Sequence, residues 1–160
     1  MAIKVGDKIP SATLKVPAAD GIKDVTTEEL FRGKRVVLFA VPGAFTPTCS
    51  AKHLPGFVQN AAAIRAKGVD AIVCLAVNDA FVMGAWAKDQ NVGDKVIMAA
   101  DGNGEFTRAL GLELDGTRFG MGSRSQRFAM VVQDGVVKSL HVEAPGKFEV
   151  SSAEAVLGKL

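Results

Sequence analysis

Three apolar runs punctuate the chain, each bounded by glycine, proline, asparagine or aspartate. They are Val36-Val37-Leu38-Phe39-Ala40-Val41, the stretch from Val69 to Val77, and the stretch from Val96 to Ala100. Continuous apolar runs of this length predict strands covered on both faces. Between the first two, Leu54, Phe57, Val58, Ala61 and Ile64 keep a helical spacing. That spacing predicts a helix from Thr48 to about Lys67, ending at Gly68. After the second run, Asn78 or Asp79 caps a helix through Phe81, Val82, Ala85 and Trp86. Asp101-Gly102-Asn103-Gly104 reads as a turn, and Glu105 to Leu110 as a helix stopped by Gly111. Residues 111–125 hold Gly111, Gly116, Gly120 and Gly122 and read as a loop-rich excursion. Phe128 to Gln133, Asp134-Gly135 and Val136 to Val142 give the pattern of a β-hairpin, and Ser152 to Leu160 that of a closing helix.

The first 25 residues read as short strands and turns. Ala12 to Val16 alternates loosely, Asp20-Gly21 is a turn, and Ile22 to Val25 is the return strand. Thr26 or Thr27 then caps a short helix that stops at Gly33. The order of elements predicts an α/β fold, a mixed central sheet flanked by helices with an N-terminal hairpin extension.

Composition narrows the class. A length of 160 residues fits one domain over residues 1–160, and 48% hydrophobic residues suit a packed core. A net charge of +2 with no Lys/Arg run argues against nucleic acid as a partner. No apolar run reaches the length of a membrane span, and the first seven residues show no signal-peptide core. Two cysteines outside any dense framework fit a reducing cytoplasm.

The chemistry gathers at the end of the first apolar run, in Pro42-Gly43-Ala44-Phe45-Thr46-Pro47-Thr48-Cys49. Cys49 falls where a strand hands over to a helix. Free N–H groups and the helix dipole favour an anion there, and the thiolate is the reactive form of cysteine. Thr46 stands where a C-x-x-C redox pair would have its first cysteine. A hydroxyl cannot close a disulfide, so the spacing points to one-thiol chemistry; the bland alternative is that Thr46 merely caps the helix, and the two roles can coexist. Cys74 sits in mid-strand, about 10 Å below the rim that carries Cys49. A disulfide needs Cα atoms within about 7 Å, so direct pairing would require the first helical turn to unwind. Cys74 is read as an inert core residue. His53, four residues after Cys49, shares its helix face and reads as a structural residue under the site or as a charge partner. His141 is given no role. Two cysteines and two histidines lack zinc-site spacing, so no metal is expected. Gly102-Asn103-Gly104 is a turn and not a dinucleotide fingerprint, so no cofactor is expected.

The stretch P-G-A-F-T-P-T-C-S at residues 42–50 resembles the peroxidatic motif P-x-x-x-T-x-x-C of peroxiredoxins, members of the AhpC/TSA-redoxin superfamily. With H-L-P-G-F at 53–57 it is similar to their type II (Prx5-like) branch. V-N-D-A-F-V at 77–82 and R-F-A-M-V-V-Q-D-G at 127–135 extend the likeness over nearly the whole chain. The resemblance implies a thioredoxin-like fold and a thiol-dependent peroxidase. Cys49 would attack hydrogen peroxide or an alkyl hydroperoxide and become a sulfenic acid. Thr46 and an arginine would hold the peroxide oxygens, and Pro42 would shield the thiolate. A thiol is ordinarily only a few per cent thiolate at neutral pH. A helix terminus supplies at most about 2 kcal/mol, so a cation must add to it. The family's arginine lies in Gly122 to Phe128; alignment on R-F places it at Arg124, with Arg127 as the second choice. Some type II members use a cysteine in the Cys74 strand as resolving thiol, which keeps Cys74 as a resolving alternative. The preferred reductant is an outside thiol, glutathione or glutaredoxin, ahead of thioredoxin alone. The resemblance also suggests a homodimer. The rival reading is a peroxide-sensing redox switch or holdase acting through Cys49 oxidation. A thiol–disulfide oxidoreductase is disfavoured by the missing C-x-x-C.

Overall fold

The computed structural model describes residues 2–160; Met1, part of the stretch read as strands and turns, lies outside the described residues. Strands β1 (Thr13–Ala18) and β2 (Gly21–Thr26) form the N-terminal hairpin. Helix α1 (Thr27–Phe31) follows directly. The Thr26 hydroxyl accepts from the Glu29 N–H at 3.1 Å, and the Glu29 carboxylate accepts from the Thr26 N–H at 3.1 Å. This reciprocal cap settles which threonine starts the helix and stabilises it by roughly 1 kcal/mol.

The three apolar runs become β3 (Arg35–Ala40), β4 (Ala71–Ala76) and β5 (Ile97–Ala100), paired in parallel. Strands β8 (Phe128–Gln133) and β9 (Val136–Val142) form the expected hairpin. Its turn has φ of 49° at Asp134 and 78° at Gly135, the positive pair that a two-residue turn of this twist demands. One sheet contains all seven strands in the order β2-β1-β5-β4-β3-β8-β9. The N-terminal hairpin is therefore built into the sheet, through Lys15 of β1 opposite Ala100 of β5. The loop-rich excursion at 111–125 contains a second, small sheet of β6 (Glu113–Asp115) and β7 (Ser123–Ser125).

Strand alternation sorts the core into two layers. Val36, Leu38 and Ala40 face α1 and α5 (Glu105–Leu110) through Leu30, Phe31, Phe106 and Leu110. Val37, Phe39 and Val41 face the other way. There they meet α2 (Leu54–Gln59), α3 (Ala61–Ala66), α4 (Ala80–Asp89) and α6 (Ala153–Leu157), through Leu54, Phe57, Ile64, Trp86 and Val156. Asp79, and not Asn78, caps α4, its carboxylate accepting from the Val82 N–H at 2.8 Å.

The long helix predicted from Thr48 to Lys67 is divided. Residues Cys49–His53 form a π-helical turn, closed by the Leu54 N–H donating to the Cys49 carbonyl five residues back. Pro55 has no N–H to continue an ordinary ladder, so the turn widens where the proline enters the first turn of α2. A second break falls at Asn60, where φ −99° and ψ 7° leave the helical range; its side-chain amide and its N–H both donate to the Gly56 carbonyl, at 2.7 and 3.1 Å.

Candidate active site

β3 ends at Ala40, and the chain leaves the sheet through Val41 and Pro42 into the Cys49 loop. Phe45 takes the left-handed conformation (φ 64°) and the loop is pinned by the Ala44 N–H donating to Asn78 Oδ1 at 2.9 Å. Thr46 donates its hydroxyl proton to the Gly43 carbonyl at 2.7 Å, and its own carbonyl accepts from the Ser50 N–H at 2.9 Å. The hydroxyl thus caps no helix, and its lone pairs point to no partner among the described residues. Cys49 follows at the start of the π-helical turn, fully buried.

The sulfur has a charged neighbour. Arg127 Nη2 donates to Cys49 Sγ at 3.2 Å, and Arg127 Nη1 donates to His53 Nδ1 at 2.8 Å. Alignment on R-F points to Arg124 for this cation; in the structure Arg127, the second choice, makes the contact. Arg124 donates from Nε to the Met121 carbonyl at 2.9 Å and from Nη1 to the Val77 carbonyl at 3.2 Å, bracing the loops around Gly43. Strand parity explains the difference. Ala40 pairs with Phe128, so Arg127 lies opposite Val41 at the mouth of the Cys49 loop. It shares the face of Ala129 and Val131, the face on which Cys49 packs. Arg124 is three residues further from that register.

His53 is fully buried, and its Nε2 lies 2.9 Å from the Ser151 carbonyl. An arginine offers only donors and a carbonyl only accepts, so the ring is the neutral tautomer with its proton on Nε2. Burial, with the Arg127 charge beside it, holds His53 down to about 3. The imidazole therefore keeps an unprotonated Nδ1 for Arg127 at any ordinary pH. Phe39, Phe57 and Phe148 enclose the ring, with centroids 4.9, 5.7 and 5.0 Å away.

Cys74 lies in β4 opposite Phe39 and Met98, with no exposure. Burial, and then the Cys49 sulfur nearby, push its thiol well above the usual range. Both cysteines are free thiols. His141 lies on β9 opposite Ala129, away from the sulfur's hydrogen bonds. Beside the Cys49 turn opens a cleft of about 350 Å³, lined by Pro42, Thr48, Leu114, Phe119, Arg127 and Phe148 among others. Among the described residues no group of three or more His, Cys, Asp or Glu side chains is arranged to hold a metal ion.

Three contributors to the site carried little signal in the sequence. Asn78 reads as a possible helix cap, and Ser151 falls just before the expected closing helix with no role of its own. Glu143, a carboxylate only 7% exposed, has one cue: it directly follows β9, where parity puts it on the Arg127 face. Its N–H indeed donates to the Arg127 carbonyl at 2.9 Å.

A buried thiol that accepts from a guanidinium at the end of a central strand, with a second buried thiol in the next strand, is a candidate thiol-redox site. Comparison with known proteins gives the class its family. The redoxin family model matches residues 4–157. The chain is 53% identical to the chloroplastic peroxiredoxin-2E of Arabidopsis thaliana, over 99% of this chain and 70% of that protein. It is 48% identical to peroxiredoxin-2B of the same plant, over 99% and 98%. It superposes with a TM-score of 0.94 on the crystal structure of reduced Prx3 in complex with hydrogen peroxide from Vibrio vulnificus, at 54% identity over 98% of each chain. The chain belongs to the redoxin family and, within it, to the peroxiredoxins, thiol-dependent peroxidases of thioredoxin-like fold.

Proposed function

We propose that Cys49 is the thiol that attacks the peroxide, that hydrogen peroxide and alkyl hydroperoxides are the substrates, and that an outside thiol returns the electrons. The observation that carries this reading is the Arg127 Nη2 to Cys49 Sγ contact of 3.2 Å, made with the sulfur fully buried. A guanidinium there stabilises the thiolate and can meet the oxygen that develops negative charge as the O–O bond breaks. The S–O bond forms as the O–O bond cleaves; Cys49 becomes a sulfenic acid and the distal oxygen leaves as water or alcohol after taking a proton. Thr46, whose lone pairs are open, accepts from the peroxide O–H. Pro42 closes one side against water. The cleft bounded by Leu114, Phe119 and Phe148 suits an alkyl chain. That a Prx3 sharing 54% of these residues is seen with hydrogen peroxide supports the smaller substrate.

The sulfenic acid then condenses with a free thiol, losing water, and a second thiol reduces the mixed disulfide. Glutathione or glutaredoxin is favoured over thioredoxin alone, because Cys74 is sealed within β4 and its thiol is held protonated. NADPH-coupled peroxide reduction, run side by side with glutaredoxin/glutathione and with thioredoxin, tests the assignment. Turnover with the first pair that persists in Cys74→Ser is expected. Turnover with thioredoxin alone that is lost in Cys74→Ser would make Cys74 a resolving thiol. The reading includes a homodimer and a cytoplasmic setting, which gel filtration and cell fractionation test.

A further inference from the structure

The Arg127 guanidinium touches the sulfur, and the contact chain that fixes it runs from the Cys49–His53 turn to the chain beyond β9. One Nη is held by His53 Nδ1, and His53 is fixed in turn by the Ser151 carbonyl. Ser151 lies at the end of a largely exposed strap, residues 144–150, that joins β9 to α6. Glu143, which directly precedes the strap, clasps its far end with its carboxylate. Glu143 Oε2 accepts from the N–H groups of Glu149, Val150 and Ser151 at 2.9, 2.8 and 2.8 Å, and from the Ser151 hydroxyl at 2.7 Å; Oε1 accepts again from Glu149 at 2.9 Å. The clasp also sets Phe148 edge-on to His53 and 5.8 Å from the Arg127 guanidinium. Nothing else among the described residues hydrogen-bonds this carboxylate, and it does not touch the sulfur.

We propose that Glu143 is a positioning residue for the peroxidase reaction: it gathers the 149–151 backbone, and through Ser151 and His53 it aims Arg127 at Cys49. The inference rests on the reading of Cys49 as the attacking thiol. It explains why a carboxylate is buried on the same sheet face as the thiolate it would repel. Three successive N–H groups and a hydroxyl neutralise it locally, and against burial they keep its carboxyl below the usual range. What reaches the sulfur is geometry, carried by neutral groups as far as the guanidinium. The charged and titratable groups facing Cys49 are Arg127, His53 beyond it and the buried Cys74 thiol.

The two ways Glu143 could act predict opposite signs. If it acted only through its charge, neutralising it would ease thiolate formation, and the thiolate would appear at lower pH. If it positions Arg127, releasing the strap loosens the guanidinium and the thiolate appears at higher pH. The test follows Cys49 thiolate by ultraviolet absorbance against pH, as the difference from Cys49→Ser, in wild type and Glu143→Gln. This readout needs neither peroxide nor reductant, so its failure is separable from a failure of the substrate reading. An upward move of about half a unit or more is expected. Oxidation by hydrogen peroxide should slow about tenfold, since small misplacements of a catalytic group are costly. Thr26→Ala, which breaks the α1 cap at the other end of the molecule, should lower the melting temperature and leave both readouts unchanged. If Glu143→Gln does not fold, Ser151→Ala decides; it removes one of the five contacts and should move both readouts the same way by less. A midpoint that stays or falls, with an unchanged oxidation rate, overturns the proposal and leaves Glu143 a purely structural clasp.

Discussion

His53 makes stability depend on pH in a calculable way. In the folded chain its proton affinity is held at about 3 by burial and by Arg127, against an ordinary 6.5. The unfolded chain therefore binds a proton below pH 6.5 that the folded chain refuses. With more protons on the unfolded state, unfolding becomes easier as pH falls from 6.5 toward about 3, and above 6.5 the effect vanishes. Each unit is worth about 1.4 kcal/mol, so going from pH 6.5 to about 5 removes roughly 2 kcal/mol. The Glu143 carboxyl is held below its ordinary 4.5, against burial, by the N–H groups and hydroxyl that it accepts from, so its contribution is fully present above that pH and is lost only as pH falls below it. The window between about 5 and 7 thus belongs to histidine. His141, also held down by partial burial and by Lys159, adds a smaller contribution of the same sign. Urea unfolding followed by the fluorescence of Trp86, the sole tryptophan, measures this. Wild type should lose roughly 2 kcal/mol across the window, and His53→Gln should lose distinctly less, since His141 is common to both. Equal slopes in the two proteins would refute the reasoning, and with it the assignment of His53 as a neutral acceptor for Arg127.

Two further outcomes follow from the same contacts. Arg127→Gln should slow oxidation of Cys49 by hydrogen peroxide about a hundredfold, the usual cost of one preorganised donor, with stopped-flow fluorescence as the assay; Arg127→Lys should recover only part, because an ammonium cannot reach both Sγ and His53 Nδ1 as a fork does. Oxidation should open the π-helical turn, where Pro55 leaves the ladder thin, so hydrogen exchange over residues 49–56 should speed up in the oxidised form, and loss of the Trp86 Nε1 bond to Ser50 Oγ (3.0 Å) should change the Trp86 emission; equal protection in both redox states would count against it.

The sheet and the position of Cys49 were legible because they follow from local rules. Continuous apolar runs gave β3, β4 and β5, and Asp134-Gly135 gave the β8–β9 hairpin. What local rules could not resolve was register. Choosing between Arg124 and Arg127 needs the pairing of β8 with β3, a contact across some ninety residues of chain. Once Ala40 is set opposite Phe128, parity alone selects Arg127. The helix break was readable in principle from Pro55 and Asn60, but the apolar spacing continues across both and masks them. For Glu143 the pairing of β8 with β9 puts it on the Arg127 face, but its clasp on Ser151 depends on a strap folding back over β9, which no local pattern shows.

In the proposed reaction one sulfur, Cys49, takes the peroxide oxygen. One measurement addresses it directly: intact-protein and peptide mass spectrometry after one equivalent of hydrogen peroxide in the presence of dimedone, which traps sulfenic acid. A single adduct on Cys49, with Cys74 unmodified, is the predicted result, and Cys49→Ser should show neither adduct nor peroxide consumption. An adduct on Cys74, or a Cys49–Cys74 disulfide forming ahead of the trap, would contradict the account.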